Sequence, residues 1–274
     1  MEGAYKRKQY HKEARLMINK KRSDSFNEVA EIYDEARPGY PPELIEDVIK
    51  LANIKESATI LDVGAGTGKG TLPFAEKGYT IHCVEPGEKL VAVASNNLRS
   101  YPKVTFDTTT FEDWDLKAGT YDLIISAQAF HWVNRDIGYI KAAQALKENG
   151  YIALFWNFSP APDTPVFNAL NEAFQKYVPS MVYNPPSIPS LVEKREKWIV
   201  NSKCFKNLII KEYPWAINYK TQEYLNLLKT QTTYQAFTEE EKQSLSNIVA
   251  EILNANGGYV TKPYLSVLFL AQKI

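Results

Sequence analysis

Asp62, Gly64, Gly66, Gly68 and Glu85 are the residues whose types and spacing point most directly to chemistry. The stretch Ile60-Leu61-Asp62-Val63-Gly64-Ala65-Gly66-Thr67-Gly68 continues an apolar run that begins at Ala58, and Glu85 closes the next apolar run, which begins at Thr80. Glycines without a Cβ let the backbone turn sharply and let a ligand come close. A buried strand, a Gly-rich turn and a helix over 69–77 make half of a nucleotide-binding βαβ unit. An acid ending the second strand is placed to accept from both hydroxyls of a ribose. The dinucleotide fingerprint G-x-G-x-x-G needs a glycine where this chain has Lys69, and Asp62 would repel a pyrophosphate. Gly68-Lys69 is followed by Gly70 instead of Ser or Thr, so the phosphate-loop pattern is missing too. A ligand carrying an ammonium and a sulfonium suits Asp62, which favours S-adenosylmethionine over NAD or ATP.

Together with three further runs, these residues resemble the class I S-adenosylmethionine-dependent methyltransferases over residues 26–157. Asp62–Gly68 looks like the family's first motif, and Glu85-Pro86 like its second. Thr110-Phe111-Glu112 sits where the family places its adenine contacts, and Ser126-Ala127-Gln128-Ala129-Phe130-His131-Trp132 follows the fourth strand. The lead-in Tyr33-Asp34-x-x-Arg37-Pro38-x-Tyr40-Pro41 and the Gln-Ala-Phe-His-Trp run are most similar to small-molecule enzymes of the trans-aconitate and quinone-biosynthesis type. The resemblance implies S-adenosyl-L-methionine as cofactor. Its binding set would be Tyr33, Asp62, Gly64, Ala65, Gly66, Thr67, Gly68, Glu85, Pro86, Thr110, Phe111, Ser126, Ala127 and Gln128. Asp62 would orient the methionine ammonium, Glu85 the ribose, and Thr110 with Phe111 the adenine edge. The family often has Asp at the place of Thr110, which leaves the contact to the exocyclic amine open, and Glu112 is a candidate cap for the following turn.

Transfer of a sulfonium methyl is an in-line displacement in which the protein positions two partners and excludes water. The catalytic candidates are His131, Tyr33 and Arg37, with Tyr40, Gln128 and Trp132 beside them. His131 has an ordinary pKa near neutrality and could serve as a base, or it could bond a backbone carbonyl and shape its loop. Arg37 could hold a carboxylate through two parallel hydrogen bonds, or tie the N-terminal helices to the core. A carboxylate nucleophile needs no base. The acceptor expected from the resemblance is therefore a small molecule, a carboxylic acid among the options. An RNA or protein methyltransferase and a non-catalytic S-adenosylmethionine-binding protein are the alternatives.

The elements that must position these groups alternate between strand and helix. Strands are expected at 80–85, 104–107, 121–126 and 151–156, with helices near 43–52, 88–99 and 136–147. Such alternation implies an α/β fold, a mostly parallel sheet with helices on both faces and ligands at the carboxyl ends of its strands. The resemblance implies a Rossmann-like sheet of seven strands with an antiparallel last strand, at 264–270. An N-terminal helix at 26–33 precedes it. The domain reading is a basic N-terminal arm over 1–25 and a methyltransferase domain over 26–274, with the Pro-rich segment 160–207 inserted after the fifth strand as a lid. Asn184-Pro185-Pro186 looks like a motif of amino-group methyltransferases but lies in the wrong place for it.

Composition agrees with a soluble protein. Hydrophobic residues make up 45% and charged residues 23% of the 274. Lys+Arg and Asp+Glu both number 32, so no global field recruits nucleic acid. Cys83 and Cys204 have no metal-ligand spacing, and no metal is expected. No apolar run is long enough for a membrane span. A cytoplasmic monomer or homodimer, with no membrane or nucleic-acid partner, is the expectation.

Overall fold

Period-two burial organises the sheet around its first strand. In β1 (Thr59–Val63), Ile60 points into one core, and Leu61 and Val63 into the core on the opposite face. The computed structural model describes residues 29–160, 162–177, 186–235 and 237–274. The basic arm, Phe26–Glu28 of the expected first helix, and Asn184-Pro185 lie outside the described residues.

Six further strands join β1: β2 (Thr80–Val84), β3 (Val104–Asp107), β4 (Tyr121–Ala127), β5 (Leu146–Phe158), β6 (Phe205–Lys220) and β7 (Tyr259–Lys273). They form one seven-stranded sheet in the order β3-β2-β1-β4-β5-β7-β6, parallel except that β7 runs antiparallel to both neighbours. This is the expected Rossmann-like arrangement with its antiparallel last strand.

Helices α1 (Ala30–Ala36), α2 (Pro42–Leu51), α3 (Leu72–Glu76), α4 (Glu88–Asn97) and α5 (Arg135–Ala145) accompany the parallel half. Leu44, Ile45 and Val48 of α2 fill the core on the Ile60 face with Phe74 of α3, while Tyr139 and Ala142 of α5 fill the other. Pro73 in the first turn of α3 and Asn134 capping α5, whose side chain accepts from the Asp136 N–H at 3.1 Å, set where these helices begin. Residues 69–71 stay in the turn, so α3 starts later than the spacing suggested.

The second half has longer strands than the parallel half. β6 and β7 are 16 and 15 residues long, and their hairpin pairs out to Lys220 and Tyr259, so β7 begins ahead of the expected 264. Exposure alternates along much of β6, so one face of the ribbon is left to solvent. Helices α6 (Pro165–Tyr177), α8 (Thr221–Lys229), α9 (Thr232–Gln235) and α10 (Glu239–Ala255) gather on that extended ribbon. Leu170, Leu227, Leu228, Leu245, Val249 and Val260 make a third core there. Within the segment read as a Pro-rich lid, α7 (Ile188–Ser202) is a full helix, with Ser187 as cap and Pro189 in its first turn, lying against α5 and β6. No described residue of 160–207 lines the large cavity described below; α8 and β7 supply the wall on that side.

Gly64 is the tightest point of the scaffold. It holds φ at +73°, and a Cβ there would lie 2.4 Å from the Ala129 Cβ. Gly64→Ala is therefore expected to lower stability by about 1–3 kcal/mol, seen as a lower urea midpoint at unchanged slope.

Candidate functional site

The turn after β1 is locked to the end of β2 by one carboxylate. Glu85 is 7% exposed; its Oε2 accepts from the Gly66 N–H at 3.0 Å and its Oε1 from the Gly87 N–H at 2.9 Å. Gly64 N–H donates to the Val84 carbonyl at 2.8 Å, and Gly64, Gly66 and Gly68 all have positive φ. Burial raises the Glu85 carboxyl pKa, while the two N–H donors hold it back. Each oxygen keeps a lone pair beyond the one its backbone donor uses.

This turn opens onto a cavity of about 1080 Å³ at the carboxyl ends of β1, β2, β4 and β5. Of the expected site residues, Tyr33, Arg37, Gly64, Ala65, Gly66, Thr67, Glu85, Pro86, Thr110, Phe111, Ala127, Gln128 and His131 line it, with Tyr40 and Trp132. Asp62, Gly68 and Ser126 do not. Ser126 is fully buried and donates to the Val63 carbonyl at 2.6 Å, pinning β4 to β1. Gly68 packs under α4, where a Cβ would meet the Leu98 side chain at 2.8 Å.

Asp62 is fully buried behind the turn. The Thr71 hydroxyl donates to its Oδ2 at 2.6 Å, while its Oδ1 has no hydrogen-bond partner among the described residues. Burial pushes this carboxyl up to about 7; the Thr71 bond opposes the rise and the charge of Glu85 adds to it. The Thr67 hydroxyl is a second buried polar atom without a partner, and it belongs to a residue of the cavity wall. Unpaired buried polar atoms are costly, and a polar ligand at this turn would relieve that cost.

Three side chains behave differently from expectation. The Thr110 hydroxyl donates to Asp113 Oδ2 at 2.7 Å and accepts from the Asp113 N–H at 3.1 Å, so it caps the turn itself. Glu112 instead crosses to the Asn134 N–H at 2.6 Å, tying this loop to the start of α5. Among the described residues His131 bonds no backbone carbonyl: its Nδ1 accepts from the Trp156 indole at 3.2 Å, which places its proton on Nε2. Burial, with the nearby charges of Arg195 and Lys194, pushes this imidazole down to about 3, so it is neutral at pH 7 but a feeble base.

Arg37 lines the cavity while also tying α1 to α8. Its Nε donates to the Thr230 hydroxyl at 2.7 Å and its Nη2 to the Thr230 carbonyl at 3.0 Å. Gln128 holds φ at +59° and donates through Nε2 to the Asn157 carbonyl at 3.0 Å, a strained residue in the cavity wall. The sequence reading missed Ser159, Leu227, Gln231, Lys262 and Tyr264, which complete the wall. Lys262 and Tyr264 alternate onto one face of β7, a signal hidden because the strand was read as starting at Tyr264. Among the described residues no group of three or more His, Cys, Asp or Glu could hold a metal ion, and no helix is long and apolar enough to cross a membrane.

The sheet order, with its antiparallel β7, and the Gly-rich turn after β1 define a Rossmann-like fold. Residues 60–150 match the family model for a methyltransferase domain. An uncharacterized methyltransferase of Mycobacterium bovis is 32% identical over 133 residues, 48% of this chain and 52% of that protein. A malonyl-[acyl-carrier protein] O-methyltransferase of Geobacter sulfurreducens is 29% identical over 143 residues, 50% of this chain and 53% of that protein. The chain thus spans about half the length of these curated relatives. Among solved structures, the phosphoethanolamine N-methyltransferase 2 of Haemonchus contortus, in complex with phosphomonomethylethanolamine and S-adenosylhomocysteine, superposes with a TM-score of 0.54 at 16% identity. That match covers 90% of this chain and 57% of that one.

Two measurements check this electrostatic picture. The His131 ring resonances should stay flat in an NMR titration from pH 8 to pH 5, because its folded pKa lies below that range. The linked stability is then lost as pH falls below about 6.5, where the unfolded imidazole charges. Asp62 has the opposite sign: its raised carboxyl costs the ligand-free fold stability as pH rises from about 4 to 7. Asp62→Asn should consequently raise the melting temperature at pH 8, by a gain on the order of 2–4 kcal/mol, and change it little at pH 4.

Proposed function

We propose that this chain is an S-adenosylmethionine-dependent methyltransferase acting on a small-molecule acceptor, with a carboxylic acid the class that Arg37 suits best. The observation that carries the reading is Glu85: a buried carboxylate at the end of β2, aimed into the cavity and held by two backbone N–H groups with lone pairs to spare. That arrangement fits a ribose diol. The Thr67 hydroxyl supplies an unpaired polar atom in the cavity wall, and the Asp62 carboxylate behind the turn favours an ammonium over a pyrophosphate. The methyltransferase-domain match over residues 60–150 supports the same reading.

The cofactor supplies a methyl group already activated on sulfonium. The chain's own residues then bind, orient and exclude water. Glu85 fixes the ribose, and Phe111, 3% exposed and stacked on Trp114 with centroids 5.9 Å apart, offers a rigid wall to the base. Asp62 acts through its charge from behind the Gly64 turn. Tyr33, Arg37, Gln128 and His131 face the acceptor side. The Trp156 bond and low basicity of His131 make it a neutral wall with an N–H donor at Nε2. An acid acceptor, ionised at neutral pH, needs no proton removed, which agrees with a cavity that contains no strong base at this position. The Geobacter relative is named a malonyl-[acyl-carrier protein] O-methyltransferase, which supports a reading with a malonyl-type acceptor.

Calorimetric titration with S-adenosylmethionine and with NAD tests the assignment. Micromolar affinity for S-adenosylmethionine alone is expected, weakened about tenfold or more in Glu85→Ala, the value of a charge-assisted hydrogen-bond pair. Preference for NAD, or an indifferent Glu85→Ala, would sink it.

A further inference from the structure

We propose that Lys262 determines acceptor specificity in this cavity, selecting a molecule with a carboxylate or phosphate oxyanion that it holds jointly with Arg37. The inference rests on the methyltransferase reading given above and names the acceptor class.

Two cations from distant parts of the chain meet in one cavity. Arg37 follows α1, and Lys262 lies on the part of β7 that extends beyond the parallel strands. Each is fixed by neutral partners. Arg37 spends Nε and one Nη2 hydrogen on Thr230, which leaves Nη1 and the second Nη2 hydrogen. Lys262 Nζ donates to the Ser159 hydroxyl and lies 4.8 Å from the centre of the Tyr264 ring.

Among the described residues no carboxylate forms an ion pair with either cation. The three acids of the cavity wall are engaged elsewhere: Glu85 with the Gly66 and Gly87 N–H groups, Glu112 with Asn134, Asp113 with Thr110. Burial, reinforced by the like charge of Arg37, pushes the Lys262 ammonium down to about 8. Two like charges facing one partly desolvated space are unfavourable until an anion enters between them. An oxyanion would satisfy both at once and raise the lysine pKa again. A neutral acceptor would leave the repulsion in place.

The test uses the full chain saturated with S-adenosylmethionine, titrated calorimetrically with malonate, inorganic phosphate and the neutral malonamide. Malonate or phosphate should bind, and whichever binds identifies the oxyanion; malonamide should not. Lys262→Met should weaken that anion at least about tenfold while S-adenosylmethionine affinity stays within about twofold, and Lys262→Arg should recover most of the loss. Thermal melting confirms that each variant is folded. The proposal is overturned if the cofactor-loaded chain binds neither anion, binds malonamide equally well, or keeps its anion affinity in Lys262→Met. Failure of the unmodified chain to bind S-adenosylmethionine at the outset overturns the underlying reading instead, and is read out before any anion is added.

Discussion

The Glu85 carboxylate is the point through which the two halves of the nucleotide-type unit are joined. Its oxygens take one N–H from the turn after β1 and one from the turn after β2, so neither turn can move without the other. The Gly64 N–H to Val84 carbonyl bond repeats the linkage one layer down. An acid in this position would be destabilising if left bare. Two backbone donors make it tolerable, and the same donors leave it rigid, which is what a group that must orient a ligand requires. Ser126, donating to the Val63 carbonyl, then carries that rigidity across to β4 and to the strained Gln128.

Around this joint the charge is unevenly satisfied. Among the described residues, the Gly-rich side carries an acid behind it with one unpaired oxygen, and the wall from α1 and β7 carries two cations with neutral partners. His131 lines the same cavity, stripped of basicity by burial and by Arg195 and Lys194. A cavity arranged in this way is prepared for a cationic group at one end and an anionic group at the other. That polarity is the physical content of the proposed pairing of a sulfonium donor with an acid acceptor.

The parallel half of the fold was legible because its signals are local. Apolar runs of strand length, the glycines that need positive φ, and Glu85 ending a strand are each readable within a few residues. The cavity residues contributed by that half were legible for the same reason. Asp62, Gly68 and Ser126 were named as contacts, yet they stand behind the cavity wall, because a motif gives spacing along the chain but not depth below a surface. The wall from Ser159, Leu227, Gln231, Lys262 and Tyr264 was illegible. It depends on how far the β6–β7 ribbon continues, which is set by pairing between residues such as Trp215 and Tyr264 that are remote in sequence. α7 was hidden by its flanking prolines, although Pro189 in the first helical turn is where a helix accepts one.

The long β6–β7 ribbon gives the molecule a modular economy. Residues matched to the methyltransferase-domain family end at 150, whereas the residues that close the cavity on its far side sit beyond 220. The two walls of one chamber are thus encoded in separate stretches and meet only through the sheet. Drift in the distal stretch can reshape what enters the chamber while the Gly64–Glu85 joint stays untouched. Relatives that align over half their length would then be expected to share the donor end of the chamber and to differ at the other.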